Sequence, residues 1–169
     1  MRNHDKAFLL FVMAIIWLAG CSASFEEEQA DAIGAVEEAF KEAPKKSNHE
    51  NEDIQYYLPF GFEVEEETAN NIILKNGAKT YILFYNFQED MKSEVVLNAT
   101  LQQKEFDVDQ RLTEGNKLGY FLVEKISEKE NEVIVGIGGV KVTSEVKTTN
   151  LSSEAETMMR IANSVQFNL

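Results

Sequence analysis

The chain has few of the residues on which many enzymes and metalloproteins depend. Its 169 residues include one cysteine, Cys21, and two histidines, His4 and His49. A single cysteine excludes an intrachain disulfide, and one histidine after Cys21 argues against Ser-His-Asp, Cys-His and multi-histidine metal sites in that segment. We therefore predict a protein that is not an enzyme and that uses no cofactor or bound metal.

Basic residues are also scarce. The chain has 16 Lys and Arg against 29 Asp and Glu, which gives a formal net charge of −13. Nucleic acid binding rewards clusters of Lys and Arg, and anionic lipid head groups attract polybasic segments, so this composition argues against both. A basic protein partner remains compatible with the charge.

The N-terminus contains an apolar run that is too short to span a bilayer. This run, Ala7–Leu18, follows Arg2 and Lys6 and is about a dozen residues long, whereas a membrane-spanning helix needs roughly 20. It ends in Leu18-Ala19-Gly20, directly before Cys21. Basic residues, a short apolar run and small residues are typical of a signal peptide. An uncleaved membrane anchor and a conventional secretory signal cut nearby are the alternatives.

The tetrapeptide LAGC at residues 18–21 resembles the lipobox of bacterial lipoproteins. This resemblance implies that residues 1–20 are a signal peptide and that Cys21 is lipidated, with palmitate among the expected chains. A protein modified with two or three chains would stay at the extracytoplasmic face of the cell membrane, because a single chain anchors only marginally.

Residues 21–53 are predicted to form the lipidated N-terminus, an amphipathic helix and a polar linker. Three acids, Glu26–Glu28, precede apolar residues at helical spacing: Ala30, Ile33, Val36 and Phe40. Pro44 ends the pattern, and Lys45–Asp53 is polar enough for a loop or linker. Two alternatives stay open: the helix packs on the globular domain, or it is a spacer that lifts the domain off the membrane.

Residues 54–169 are predicted to form one α+β domain. Asn71–Lys75 and Lys79–Phe87 flank Asn76-Gly77, a strong hairpin signal. In the second arm Tyr81 and Leu83 share one face and Ile82 the other, so we expect a central strand covered on both sides. Further strands are predicted at about residues 105–112, 120–126, 132–137 and 140–147.

Two helices complete the predicted domain. We favour a helix over Ser93–Gln103, although Val95 and Val96 prefer strands. The chain ends in an apolar stripe over about Ser153–Val165, which Ser153 and Glu156 would open as a capping box. The fold class is therefore α+β: a single antiparallel β-sheet with a C-terminal helix packed on it, preceded by the signal peptide and the N-terminal amphipathic helix.

The order of these segments carries a second resemblance. LPFGFEVEEE, NNIILKNGAKTYILFYNF, a Ser-led segment, paired strands and SEAETMMRIANSVQF follow one another. Over about residues 54–167 this order resembles small bacterial lipoproteins with a PsbP/Mog1-like or related α+β domain. The resemblance implies a non-catalytic accessory or binding domain, and it identifies no site residues.

Two polar or glycine-rich patterns have ordinary structural interpretations. Asp107 and Asp109 share a strand face, but a calcium loop would need a ligand where Arg111 stands, so we expect a solvated strand face. Gly136–Gly139 precedes a strand and not a helix, so we expect a tight turn or bulge and not a phosphate-binding loop.

An aromatic group at the start of the domain is the candidate partner-binding patch: Tyr56, Tyr57, Phe60 and Phe62. Exposed, it would be an apolar surface for a partner; buried, as we favour, it belongs to the core. The resulting hypothesis is a non-enzymatic binding or accessory module for a protein or envelope component, including an inhibitor of a basic wall-degrading enzyme. A small-ligand-binding lipoprotein and a carboxylate-dependent wall hydrolase are the alternatives.

Overall fold

The largest element of the fold is an antiparallel sheet of seven strands. The computed structural model describes residues 24–168. The predicted signal peptide and Cys21 lie outside the described residues. The elements in chain order are α1 Phe25–Lys41, β1 His49–Glu50, β2 Ile54–Tyr56, β3 Glu63–Thr68, β4 Asn71–Asn76, β5 Lys79–Tyr85, α2 Val95–Leu101, β6 Val108–Glu114, β7 Lys117–Lys125, β8 Glu130–Ile137, β9 Val140–Lys147, a 3-10 turn Thr148–Asn150, α3 Leu151–Ser164 and β10 Gln166–Phe167. The strands of the large sheet lie in the spatial order β3-β4-β5-β9-β8-β7-β6.

Short turns join most of the strands. In the β4–β5 hairpin Asn76 pairs with Lys79, so the loop is Gly77-Ala78, and Gly77 has φ 60°. A positive φ at the first loop position alone favours a type II′ turn, where glycine is the usual residue. The predicted hairpin is confirmed, with its turn one residue later than the Asn-Gly signal suggested.

A second sheet of three short strands joins the segment after α1 to the C-terminal end of the described chain. β2 pairs with β1 and with β10, so that Gln55 lies opposite Gln166. The backbone N–H of Leu58 donates to Asn48 Oδ1 at 2.7 Å, and Asn48 Nδ2 donates to the carbonyl of Leu58 at 2.9 Å. The segment predicted as a polar linker therefore contributes a strand to the fold.

Both long helices pack on the same face of the large sheet. Ala32, Val36, Ala39 and Phe40 of α1 have no exposed surface and join the main hydrophobic core with the apolar side of α3. Helix α1 thus packs on the domain. The core therefore includes residues before Ile54, the predicted start of the globular domain. Its buried side differs in part from the predicted stripe, because Ala30 is exposed.

Helix α2 lies on the opposite face and covers only part of it. Leu97 forms a small second cluster with Tyr120, Leu122 and Ile134 of strands β7 and β8. Beyond this cluster the face is open, and Ile82 in the middle of β5 is 40% exposed. The expectation that β5 is covered on both sides is therefore wrong at Ile82, because α2 is too short to reach it.

The helix caps also differ from the sequence prediction. α3 begins at Leu151 after Asn150, without a side-chain cap, so the predicted capping box of Ser153 and Glu156 is wrong. A capping box instead opens α1, where Ser24 and Glu27 bond each other's backbone N–H groups. The fold class is confirmed: a large antiparallel sheet carries the C-terminal helix on one face. Within residues 24–168 no helix is long and apolar enough to cross a membrane.

Candidate functional site

The molecule has two ends that are defined by the direction of α1 along β7. Where α1 begins, the Lys125 Nζ lies 4.5 Å from the centroid of the Phe25 ring. Where α1 ends, Asn163 of α3 donates from Nδ2 to the carbonyls of Ala39 at 3.1 Å and Glu42 at 3.0 Å. We call the end of the molecule around Phe25 and Lys125 the proximal end. The opposite end, around Glu42 and Asn163, is the distal end.

A cleft of about 480 Å³ opens at the distal end, between the β8–β9 turn of the large sheet and the C-terminal end of α3. Apolar groups dominate its lining. The lining residues are Pro44, Glu89, Asp90, Met91, Lys117, Ile137, Gly139, Val140, Ala162, Asn163, Val165, Gln166 and Phe167. Its volume falls in the range of sites that bind small molecules or single side chains.

One wall of the cleft is a loop after β5 that docks against the β8–β9 turn. Asn86 N donates to the carbonyl of Gly139 at 2.9 Å, and Leu118 N donates to the carbonyl of Met91 at 2.8 Å. At Gly138, with φ 53°, a Cβ atom would lie only 2.1 Å from the carbonyl oxygen of Asp90. The glycine run therefore forms the predicted tight turn. It also permits a close approach to the backbone of Asp90, which the sequence does not predict.

A buried amide forms the floor of the cleft. Asn163, which is 4% exposed, accepts from Lys117 Nζ at 3.0 Å through its Oδ1. Its Nδ2 satisfies carbonyls at the end of α1, which have no partner within that helix. Asn163 and Lys117 thus fix the position of the cleft floor relative to α1.

The rim of the cleft is apolar and acidic. Met91 is 41% exposed, and Phe87 in the same loop is 59% exposed. Glu89 accepts a hydrogen bond from Ser93 Oγ, and Asp90 Oδ1 accepts from Lys92 N at 2.8 Å. These bonds hold the loop, and the carboxylates give the rim a negative charge.

A second cleft of about 470 Å³ lies on the open part of the sheet and extends to the proximal ends of β8 and β9. Its lining is more polar than that of the distal cleft. It runs past Ile82 and Thr143 to the carboxylates of Glu130, Glu132 and Glu145. Glu132 is already paired with Lys104, which lies in the segment between α2 and β6. The acids of this cleft are therefore partly neutralised.

Lys141 separates the polar cleft from helix α2. Its Nζ donates to Thr100 Oγ1 at 3.3 Å and lies 5.7 Å from the centroid of the Phe84 ring. Burial lowers the pKa of Lys141, because desolvation disfavours the charged ammonium.

The four aromatic residues predicted as a partner-binding patch do not form one surface. Tyr56 and Phe62 are buried in the main core, and Tyr57 is half-buried. Phe60 is fully exposed at a turn in which Phe62 N donates to the carbonyl of Pro59 at 3.1 Å. The group is thus mostly core, as the sequence analysis favoured, and Phe60 is the only one of the four that is exposed.

Asp107, Asp109 and His49, considered above as candidate site residues, make ordinary structural contacts. Asp107 Oδ2 accepts from the backbone N–H of Lys125 at 2.7 Å, and Asp109 pairs with Arg111 at 3.2 Å. His49 is exposed, with its ring centroid 5.9 Å from that of Tyr56. Among residues 24–168, no three His, Cys, Asp or Glu side chains are grouped as a metal site would require.

The distal cleft was not predicted, because it combines segments that are distant in sequence. Pro44, Met91, Gly139 and Asn163 lie on four separate elements or loops. Of its lining, the sequence predicts only the turn formed by the glycine run. Comparison with protein-family models and with curated proteins gives no match for the chain.

Proposed function

We propose that the protein is a membrane-anchored extracytoplasmic lipoprotein whose folded domain is a non-enzymatic binding module. The sequence LAGC at residues 18–21 supports an anchor on Cys21. The observation that supports binding is the distal cleft, where an apolar lining meets an acidic rim.

The chemistry of the cleft favours a protein partner. Its floor and walls would accept an apolar side chain, and exposed Met91 can adapt to different shapes because its side chain is flexible and polarisable. Glu89 and Asp90 on the rim would favour a Lys or Arg next to that side chain. We therefore propose a partner segment with an apolar residue beside a basic one.

Photo-crosslinking in the native envelope tests this binding function. A photoreactive phenylalanine at Met91, in the full lipidated chain, should give one discrete protein adduct. The matched control places the same group at Ile126, at the proximal end, which is also exposed. Adducts of equal yield at both positions, or none at Met91, would refute a partner site in the distal cleft.

A small apolar ligand is the second candidate, because the cleft lies between the sheet and the C-terminal helix. Native mass spectrometry of protein extracted from membranes would show a bound ligand as a constant added mass. A Gln166→Trp variant, which projects a large side chain into the cleft, should lose that mass. A ligand retained by this variant would place its site elsewhere.

The anchor has its own test. Cells supplied with an alkyne-tagged palmitate should incorporate the tag into the wild-type protein and not into Cys21→Ala. Labelling of both proteins would contradict lipidation at Cys21, and labelling of neither would contradict a lipid anchor altogether.

A further inference from the structure

The packing of α1 determines how far the domain can lie from its lipid. Ser24, which caps α1, is three residues after Cys21. Three residues of fully extended chain span at most about 11 Å. α1 cannot add to this reach, because its buried side chains belong to the main core.

The direction of α1 then determines which end faces the membrane. A helix of 17 residues is about 25 Å long, which exceeds the roughly 11 Å reach of the tether, so Cys21 can lie near its first turn and not near its C-terminal end. β7, which runs antiparallel alongside it, spans a similar length from Lys117 at the distal end to Lys125 at the proximal end. The proximal end is therefore the part of the domain within reach of a bilayer that holds Cys21.

The proximal end carries an exposed apolar side chain that suits this position. Ile126, at the turn that follows β7, is 51% exposed. It is held by two backbone bonds to the carbonyl of Glu130, from Ile126 N at 3.0 Å and from Ser127 N at 2.9 Å. Lys125 and Lys129 flank it in sequence, and both are exposed.

We propose that the proximal end lies against the lipid surface, with Ile126 in the interface and the distal cleft directed away from the membrane. This inference rests on the proposed anchor at Cys21. The occupant of the proximal surface is the bilayer itself, because the short chain between Cys21 and Ser24 leaves little room for anything larger than the lipid head groups.

Charge does not supply this contact. Glu26, Glu27 and Glu28 lie in the first turn of α1, close to the two lysines, so the proximal end is not a basic surface. The lipid would provide the affinity, and the short tether with Ile126 would provide the orientation. We therefore expect the same orientation on vesicles without net charge.

Site-specific fluorescence quenching tests the orientation. Lipid on Cys21 leaves a newly introduced cysteine as the single free thiol for a fluorophore. The label is placed at Glu128, which is exposed in the same turn, so that Ile126 is kept. Lipidated full-length Glu128→Cys and Phe87→Cys proteins are labelled and reconstituted in phosphatidylcholine vesicles that contain a headgroup nitroxide lipid. Phe87 is the matched control, because it is 59% exposed and follows Asn86, which bonds Gly139 at the distal end.

Quenching should be at least about twofold stronger at position 128 than at position 87, since the two ends are about 25 Å apart. Equal quenching, stronger quenching at position 87, or no quenching of vesicle-bound protein would overturn the orientation while the anchor stands. Failure of the wild type to float with vesicles, or equal flotation of Cys21→Ala, would instead contradict the anchor and the orientation together. Unchanged far-ultraviolet circular dichroism would confirm that both variants are folded.

Discussion

The two faces of the large sheet are built in different ways. One face is covered by α1 and α3, and its core contains buried side chains from both helices and from six of the seven strands. The other face is covered by the seven-residue helix α2, whose Leu97 meets only three buried sheet residues. The rest of that face is open to solvent around Ile82.

This difference indicates where the free energy of unfolding comes from. Burial of apolar surface contributes about 25 cal/mol per Å², so a fully covered face contributes far more than an open one. Truncating a buried apolar side chain on the helix-covered face should therefore lower the free energy of unfolding far more than truncating one on the open face.

The largest difference is expected between Phe40→Ala and Ile82→Ala. Phe40 has no exposed surface, and its ring lies where a Cβ atom on Gly119 would come within 2.7 Å. Loss of the ring leaves a cavity, at a cost of about 3–5 kcal/mol in the free energy of unfolding. Ile82→Ala should cost about 1 kcal/mol or less, because the side chain is already 40% exposed. Urea denaturation of both variants measures the difference, and similar costs would refute the comparison.

Two buried tyrosines provide a smaller test with opposite expected signs. On the α2 side of the sheet, Tyr120 donates from its hydroxyl to the carbonyl of Val140 at 3.2 Å. On the other side, the Tyr56 hydroxyl is buried without a partner among residues 24–168. Burial, with smaller contributions from Glu67 and Tyr85, raises the pKa of Tyr56 to about 12.

Tyr120→Phe should cost about 1 kcal/mol, because it removes a buried hydrogen bond. Tyr56→Phe should be neutral or stabilise by up to about 1 kcal/mol, because it removes a polar group that is buried without compensation. Chemical denaturation at neutral pH measures both changes. A clear loss of stability in Tyr56→Phe would show that this hydroxyl has a partner after all.

Local sequence patterns predicted most of the sheet. The strand predicted at residues 140–147 is observed with those bounds, and the hairpin around Gly77 is in place. These elements depend on alternation and turn chemistry within about ten residues, which one sequence displays directly. The ends of β6 and β7 next to Gly115 lie two and three residues closer to it than predicted, because the turn is tight and both strands extend to it.

Long-range packing could not be read in the same way. An amphipathic pattern over α1 fits a packed helix and a spacer equally well, and only the partner α3 distinguishes them. The small sheet pairs Gln55 with Gln166, and the distal cleft joins Pro44 to Asn163. Residues so far apart in sequence form no short-range pattern, so the candidate site could be identified only from the three-dimensional structure.

The smallest predicted effect concerns the ion pair that joins the two helices of the covered face. Arg160 of α3 donates to both carboxylate oxygens of Glu42, from Nε at 3.1 Å and from Nη2 at 2.9 Å. A hydrogen bond from Arg160, and a smaller contribution from Lys45, lower the pKa of Glu42 to about 2. Since this pKa is lower in the folded state than the ordinary glutamate value of about 4.5, the pair stabilises the fold fully above about pH 4.5.

Glu42→Gln should therefore lower the melting temperature modestly at neutral pH, and the gap to wild type should close as the pH falls from about 4.5 to about 2. Glu37→Gln is the matched control, because Glu37 pairs with Lys41 on the exposed side of α1 and joins no second helix. Exposed pairs within one helix contribute only about 0.3–0.5 kcal/mol, so this control should change less. A gap that stays constant down to pH 2 would show that Glu42 acts through packing and not through its charge, and the covered face would then depend on apolar contacts alone.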